Sequence, residues 1–351
     1  MPPYISIRDR RIGAGEPVYL VAEISANHHG EFEQAAGLVR AAREAGADAV
    51  KLQTYTPDSM TIACDDDIFR IGSGTPWEGK NLYRLYEEAY TPWEWHRDLK
   101  ELAESLGLDL FSTPFDPRAV DFLEELGVPA YKIASFEITD MALLRRAGET
   151  GKPVILSTGM ASLAEIGDAV REIRETGNTR IALLKCTSAY PAPVGEMNLR
   201  TIPNLSEVFQ VPVGLSDHSQ GTAVPVAAVA LGASIIEKHF TLSREIPGPD
   251  SSFSLEPHEF RAMAMAVREA EKALGTVSYG VSEHEAPSRM YRRSLFVVKD
   301  MRAGELFTDE NTRSIRPGHG MPPKFLKEVL GRRAAMDIKR GTPLQWDLVG
   351  T

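Results

Sequence analysis

Cysteine is scarce in this chain: its 351 residues include only two, Cys64 and Cys186. Two thiols this far apart cannot supply the disulfide framework of a small secreted fold or the ligand set of a structural zinc site. The scarcity favours a reducing compartment, and we expect a cytoplasmic protein.

Positive charge is also in short supply, since 39 Lys and Arg residues face 49 Asp and Glu residues, giving a net charge of -10. This balance argues against a broad nucleic-acid-binding surface. Any phosphate group that the protein binds must therefore contact a local cluster of lysines and backbone donors.

Long apolar runs are missing as well. The longest, residues 223–236, is interrupted by Pro225 and Gly232 and is too short to span a membrane. The N-terminal segment carries the charged run 8–11 with no apolar stretch behind it, so we expect no signal peptide and no membrane association.

What the chain does contain is an alternation of strand-like and helical segments. We predict strands at 19–24, 47–54, 108–113, 130–135, 154–158, 181–187, 211–216 and 234–239, and helices at 32–45, 92–106, 117–126, 140–149, 162–176, 222–231 and 257–273. The segment between the sixth and seventh strands is ambiguous. Eight such strands predict a closed parallel (β/α)8 TIM barrel. An open doubly wound sheet is disfavoured, because no Gly-x-Gly-x-x-Gly follows the first strand.

The C-terminal part of the chain has a different pattern. After a barrel domain over 1–275, residues 276–290 lose periodicity and read as a linker. Short strand-like pieces joined by Gly and Pro turns then predict a small, mainly β domain over 291–351. A region 57–90, between the second strand and the next helix, is long enough to have a function of its own.

Two histidines follow neighbouring strands of the predicted barrel. Side chains two apart on a strand share a side, so Ser216 and His218 should face inward together, as should Glu237 and His239. Lys238 should face outward. Two inward imidazoles at neighbouring strand ends predict a divalent metal site with open coordination positions.

Lysines and hydroxyls gather at the same predicted rim. Lys51, Lys132 and Lys185, with Thr113, Ser135, Ser157 and Ser216, are the donors that a small phosphorylated or carboxylated substrate needs. Glu137 and Glu23 are candidates for proton transfer or for orienting water and sugar hydroxyls. Lys132 fits the alternation only if the backbone departs from regular strand geometry. Taken singly, each group could instead satisfy strand-end carbonyls.

Several motifs carry a resemblance to a known family. Segments 22–28, 51–54, 112–115, 131–135, 156–160, 214–218 and 237–240 resemble the sialic acid synthase family, and 294–295, 299–300, 304–305 and 316–318 resemble the antifreeze-like (SAF) domain fused to those barrels. The resemblance implies condensation of phosphoenolpyruvate with an amino-sugar aldehyde, giving a nonulosonic acid and phosphate.

Carried onto matching positions, the resemblance also implies residue roles. It assigns the divalent ion, most like Mn²⁺ but with Mg²⁺ or Co²⁺ as alternatives, to His218 and His239. It assigns phosphoenolpyruvate to Lys51, Thr113, Lys132, Ser135, Ser157 and Ser216, the reacting carbon to Glu137, and the sugar to Glu23, Gln53, Tyr190 and Asp250. It further implies a homodimer in which Arg316 of one subunit reaches the barrel of the other.

Within that family, segments 54–59, 91–96, 134–137 and 250–255 are more similar to pseudaminic acid synthases than to N-acetylneuraminate or legionaminate synthases. The expected acceptor is 2,4-diacetamido-2,4,6-trideoxy-L-altrose. Two other classes of protein remain compatible with the residues when the resemblance is set aside. One is a metal-dependent hydrolase that recruits His28 and His29 as further ligands, and the other is a non-catalytic barrel whose C-terminal unit binds a sugar or an ice-like surface.

Overall fold

A computed structural model describes residues 3–350 of the chain, which divides between Gly275 and Thr276 into two compact units. Each unit has its own apolar core. Within the described residues, no helix is long and apolar enough to cross a bilayer.

The first unit is the predicted closed barrel of eight parallel strands. An antiparallel hairpin of β1 (Tyr4–Ile7) and β2 (Arg10–Gly13) precedes it. The barrel strands are β3 (Tyr19–Glu23), β4 (Ala49–Thr54), β5 (Asp109–Pro114), β6 (Tyr131–Ile133), β7 (Val154–Ser157), β8 (Ile181–Cys186), β9 (Val213–Asp217) and β10 (Ile235–His239). Neighbours in sequence are neighbours in space, and β10 pairs with β3 to close the ring.

Helices surround the strands. They are α1 (Phe32–Glu44), α2 (Pro57–Met60), α3 (Leu82–Ala89), α4 (Trp95–Ser105), α5 (Pro117–Leu126), α6 (Met141–Glu149), α7 (Leu163–Glu175), α8 (Thr201–Phe209), α9 (Ala223–Ala230) and α10 (Pro257–Leu274). The ambiguous segment between the sixth and seventh strands forms α8, which contains Pro203 and buries only Ile202 and Leu205. So narrow an apolar stripe explains why periodicity alone did not resolve it.

The barrel interior is apolar at the amino ends of the strands. Nine interior side chains from the strands form one cluster with Ile5, Ile7 and Ile12 of the N-terminal hairpin. The hairpin therefore fills the amino end of the barrel, a role that the sequence did not reveal. Because that end is packed with apolar side chains, the polar interior positions lie toward the carboxyl ends.

Residues 57–90 are ordered rather than structureless. We call this segment, inserted after β4, the β4 insertion. Thr56 and Ser59 form a capping box at the start of α2, and the Asn81 side chain accepts hydrogen bonds from the first turn of α3. These caps give two short helices fixed positions beside the barrel mouth.

The second unit is small and mainly β, as expected. It pairs β11 (Ser294–Val297) with β12 (Thr312–Ile315), adds isolated bridges such as Met301 to Ile338, and contains one short helix, α11 (Leu326–Val329). Its core includes Leu295, Phe307 and Leu344. Its first residues, 276–293, are exposed throughout.

Candidate active site

Two lysines and two glutamates form a buried ion-pair network inside the barrel. Lys51 Nζ contacts the Glu23 carboxylate and lies 3.9 Å from Glu237 Oε2. Lys132 Nζ lies 3.7 Å from Glu237 Oε1. All four residues are buried. Glu237 of β10 therefore lies between the amino groups of Lys51 on β4 and Lys132 on β6.

Burial opposes every charge in this network, and the ion pairs offset it unequally. Burial lowers the pKa of Lys132, whereas Glu23 and Glu237 together outweigh burial at Lys51 and raise its pKa. Burial also opposes the Glu237 carboxylate, but Lys132 and Lys51 prevail and lower its pKa. At Glu23, burial prevails over Lys51 and raises the pKa to about 7. The ionised form of Glu237 is thus favoured, and an anionic ligand beside Lys132 would offset the burial that opposes the charge of that lysine.

Hydroxyl groups from other strands join the same network. Lys51 Nζ donates to Thr113 Oγ1 at 3.1 Å, and Lys132 Nζ donates to Ser157 Oγ at 2.7 Å. Ser216 Oγ donates to Glu237 Oε1 at 3.0 Å. The structure therefore brings together five of the six residues that the sequence suggested for an anionic substrate.

The sixth, Ser135, lies in a short 3-10 turn, Ser135–Glu137, directly after β6. The strand ends at Ile133, so Lys132 keeps the inward direction of the strand while the turn re-aims the next side chains. Ser135 Oγ accepts a hydrogen bond from Gly159 N at 3.0 Å. A Cβ at position 159 would lie 2.7 Å from that oxygen, so only glycine permits this approach.

Glu137 ends that turn and lines a cavity of about 430 Å³ at the barrel mouth. Its Oε2 is buried and has no hydrogen-bond partner within residues 3–350. Burial raises the pKa of Glu137 to about 7, with Lys132 opposing the shift. A carboxylate with a raised pKa and a free oxygen is suited to proton transfer near neutral pH.

His218 and His239 lie side by side, with ring centroids 5.3 Å apart. His218 Nδ1 is 3.1 Å from the Thr187 carbonyl oxygen, which can only accept, so Nδ1 carries the proton and Nε2 keeps a lone pair. Burial and the adjacent His218 hold the pKa of His239 well below its usual range. His239 is thus in the neutral form that binds metals. Burial opposes the charged form of His218, but Cys186 and the Thr187 carbonyl oxygen prevail and raise its pKa, so an ion bound there would have to displace a proton from that ring.

The two imidazoles fit a divalent metal. His239 Nδ1 is buried and has no hydrogen-bond partner among the described residues; the nearest acid, Asp250, is 3.8 Å away. Within residues 3–350, no group of three or more His, Cys, Asp or Glu side chains is arranged to hold an ion. An ion held here would have only two protein imidazoles and would keep positions free for substrate oxygens or water.

A third set of polar groups lies on the first-strand side of the cavity. Gln53 Nε2 donates to Glu23 Oε1 at 3.0 Å and to Ser25 Oγ at 2.9 Å. Ser25 in turn contacts the Asp250 carboxylate. Tyr190 packs on His218, with ring centroids 4.4 Å apart. The four residues suggested for the sugar, Glu23, Gln53, Tyr190 and Asp250, thus all lie at or beside this cavity.

Some predicted positions lie elsewhere. Lys185 faces away from the network: its Nζ donates to the carbonyl oxygen of Cys186 at 2.7 Å, and it lines a separate cavity of about 820 Å³ beside α8. Lys238 faces away from Glu237, as the alternation predicts, and pairs with Asp217 at 3.0 Å. Arg316 is exposed in the second unit, directly after β12.

Sequence reasoning left three site residues without a role. Glu237 lies two residues before His239 on the same strand, and this alternation predicts that both face inward. Its position between two lysines could not be predicted without the geometry of the barrel. Ser25 and Cys186 gave no signal of their own. Cys186 faces inward one residue after Lys185, and its Sγ is 3.9 Å from His218 Nδ1.

The hydrolase alternative needs His28 and His29 as further ligands, but within residues 3–350 no third His, Cys, Asp or Glu side chain is arranged with His218 and His239 to hold an ion. His28 Nε2 lies 3.1 Å from Thr91 Oγ1, and His28 Nδ1 accepts a hydrogen bond from Gly30 N at 3.1 Å. Both ring nitrogens are therefore occupied within the protein. His28 cannot join His218 and His239 on one ion without breaking these contacts.

The fold and site together define a TIM barrel of the enzyme type, with a buried lysine–glutamate network beside a pair of histidines at the carboxyl ends of the strands. Residues 38–279 match the NeuB family and residues 292–350 match the SAF domain. The chain therefore belongs to the NeuB family.

Comparison with individual proteins narrows the relationship. The chain is 47% identical to pseudaminic acid synthase of Campylobacter jejuni over 93% of its own length and 95% of that protein. It is 46% identical to pseudaminic acid synthase of Helicobacter pylori, covering 95% and 98% of the two chains. Among solved structures, it is similar to N-acetylneuraminic acid (sialic acid) synthetase from Leptospira borgpetersenii, with a TM-score of 0.74, 32% identity, and coverage of 83% of this chain and 97% of that one.

Proposed function

We propose that this protein is a pseudaminic acid synthase, which condenses phosphoenolpyruvate with 2,4-diacetamido-2,4,6-trideoxy-L-altrose and releases phosphate. The observation that carries the proposal is near-full-length identity of 46–47% to two pseudaminic acid synthases. The buried lysine network supports it, because phosphoenolpyruvate is a small dianionic or trianionic ligand that needs such donors.

Phosphoenolpyruvate is assigned to the lysine side of the site. Lys51 and Lys132 supply charge, and Thr113, Ser135, Ser157 and Ser216 supply hydroxyl donors. This arrangement holds C3 of phosphoenolpyruvate facing the cavity where the acceptor binds. Fixing two reactants in this way converts a bimolecular step into one within a complex.

The acceptor is assigned to the cavity, with its aldehyde near His239 and its hydroxyls near Gln53, Tyr190 and Asp250. C3 of phosphoenolpyruvate attacks the aldehyde carbon, which leaves an electron-poor C2. Glu137 takes a proton from the water that adds to C2, and its buried, unpaired Oε2 supports this role. The C2 hydroxyl of the tetrahedral intermediate then becomes the carbonyl as the C2–oxygen bond breaks, and its proton leaves with the phosphate, which keeps the bridging oxygen. The proton held by Glu137 goes to the alkoxide formed from the aldehyde oxygen.

His218 and His239 would hold the divalent ion, for which we propose Mn²⁺. When bound, the ion supplies Lewis-acid polarisation of the acceptor aldehyde. Dialysis against a chelator should abolish phosphate release and Mn²⁺ should restore it, and His239→Gln should weaken Mn²⁺ binding measured by calorimetry. Full turnover by the chelated enzyme would contradict the assignment.

Two further features belong to the proposal. We expect a homodimer in which Arg316 of one chain reaches the acceptor bound by the other, as the likeness to sialic acid synthases implies. We also place the reaction in the cytoplasm, because Cys64 and Cys186 are both free thiols, which fits a reducing compartment.

The test is a coupled phosphate-release assay with three acceptors: the altrose derivative, N-acetylmannosamine and the legionaminate precursor. The altrose derivative should give the highest kcat/KM. A clear preference for N-acetylmannosamine or for the legionaminate precursor would contradict the pseudaminate assignment while leaving the condensation chemistry in place.

A further inference from the structure

One wall of the acceptor cavity is built from a helix that turns its apolar stripe toward the ligand space. The helix is α3, and the residues that line the cavity are Leu82, Leu85, Tyr86 and Ala89. Their spacing is i, i+3, i+4 and i+7, which places them on one helical face. Such a stripe ordinarily packs on a protein core, but here it borders an open cavity. We call these four residues the α3 wall.

The rest of the cavity has a different character near the reacting groups. Gln53, Glu137, His239 and Asp250 line the part of the cavity that adjoins the barrel interior. An acceptor with its aldehyde carbon near Glu137 therefore meets polar groups at its reacting end. The α3 wall borders the same cavity of about 430 Å³, so groups of the acceptor that extend away from its reacting end can contact the wall.

The α3 wall is held in place by contacts at its amino end and in its middle. Asn81 Oδ1 accepts from Tyr83 N at 3.0 Å, while Asn81 Nδ2 donates to the Cys64 carbonyl oxygen at 2.7 Å. Tyr86 packs edge-on against Tyr55, with ring centroids 5.7 Å apart. The wall is therefore preorganised and does not need the ligand to order it.

The β4 insertion also closes over the cavity from the other side. Trp77 Nε1 donates to the Pro249 carbonyl oxygen at 2.7 Å, and the Trp77 ring lies 5.3 Å from that of Tyr190. This crossing joins the insertion to the segment after β10. Trp77 thus borders the same cavity as the α3 wall and reduces, without closing, the access of bulk water to it.

We propose, resting on the proposed function, that the α3 wall selects the acceptor by taking up the C6 methyl and acetamido methyl groups of a deoxy sugar. A 6-hydroxylated acceptor would leave its hydroxyl unpaired against Leu82, Leu85 or Ala89. An apolar pocket discriminates against one added hydroxyl by roughly 100-fold, so the wall supplies preference rather than absolute exclusion.

The experiment compares kcat/KM for the altrose derivative with kcat/KM for its 6-hydroxy analogue, using full-length enzyme. Leu82→Asn and Ala89→Ser place a polar group on the wall, and Glu87→Asn is the matched control on the exposed face of the same helix. Both wall positions are only half-buried, and Ala89→Ser adds a single oxygen, so it tests the wall even if Leu82→Asn is poorly folded.

In the wild type we expect the altrose derivative to be preferred by about 100-fold. In the wall variants this ratio should fall about tenfold, with KM for phosphoenolpyruvate unchanged, while Glu87→Asn keeps the wild-type ratio. If the wild type has the preference and both wall variants retain it, the wall proposal is wrong and the proposed function stands. If the wild type turns over the 6-hydroxy analogue at least as well, the wall proposal is wrong, and the proposed function is wrong as well only if the enzyme also prefers N-acetylmannosamine or the legionaminate precursor to the altrose derivative.

Discussion

The two halves of the site are built in different ways. The half proposed to bind phosphoenolpyruvate consists of buried charged and hydroxyl side chains on the barrel strands, joined by ion pairs and hydrogen bonds, together with Ser135 in the turn after β6. The acceptor half is bordered by apolar side chains from the β4 insertion, outside the barrel. The contrast indicates a division of labour, in which strand positions supply the chemistry shared by many acceptors and an insertion supplies the choice among them.

The largest effect on activity should come from removing a charge from the lysine–glutamate network. We expect Lys132→Met to lower kcat/KM for phosphoenolpyruvate by roughly 1000-fold, because the change removes a ligand charge and leaves Glu237 with less compensation in a buried site. Steady-state kinetics with varied phosphoenolpyruvate would measure it.

Lys185→Met is the matched control. Lys185 lies on β8 of the same barrel, but its side chain lines the other cavity. It should change kcat/KM by no more than about twofold, as exposed or half-exposed charges contribute little. Equal losses in both variants would mean that general electrostatics, rather than the network around Glu237, binds the anion.

The same contrast separates the features that could be predicted from sequence from those that could not. Strand order and inward parity follow from local periodicity, so the barrel was predicted within two or three residues at each strand, and the inward direction of His218 and His239 could be predicted with it. Distances across the barrel are not local. The bridging position of Glu237 and the N-terminal hairpin under the barrel depend on closure of the ring, which no short segment encodes.

The β4 insertion was the least predictable part of the barrel unit. Its helix α3 is eight residues long and amphipathic, yet the apolar stripe faces a cavity. Sequence periodicity reports only that a stripe will be covered, and does not say whether protein or ligand covers it. Lys185 was misplaced for a related reason, because a lysine near a strand end can face either side of the sheet.

The next largest effect concerns Glu137, the proposed proton acceptor, which lies between the two halves of the site. Glu137→Gln should lower kcat about 100-fold, within the range for loss of a general base. Burial raises the pKa of Glu137 to about 7, so the carboxyl is protonated below that pH and ionised above it. The wild-type rate should therefore rise with pH through about 7, and this rise should be lost in Glu137→Gln.

Glu23, whose pKa burial also raises to about 7, titrates in the same range, and the variant separates the two groups. A rise that persists unchanged in Glu137→Gln would assign the dependence to Glu23 and would contradict the proposed role of Glu137. Glu149→Gln, at the exposed end of α6, is the control and should keep the wild-type pH profile.

The smallest expected effect tests whether the acceptor half is completed by a second chain. Arg316→Ala should lower kcat/KM for the sugar about tenfold, as for one lost charge-assisted hydrogen bond, and leave KM for phosphoenolpyruvate unchanged. Arg313→Ala, three residues earlier and also exposed, is the matched control.

Mixing two variants shows whether Arg316 acts on the barrel of its own chain or on the barrel of its partner. A dimer of one Arg316→Ala chain and one Glu137→Gln chain contains one barrel with an intact Glu137. If Arg316 acts on the partner's barrel, that site receives the arginine of the Glu137→Gln chain, and refolded or co-expressed mixtures should exceed the summed activities of the separate variants. If Arg316 acts on its own barrel, no mixed site is complete, and the mixture should show only the average of the two.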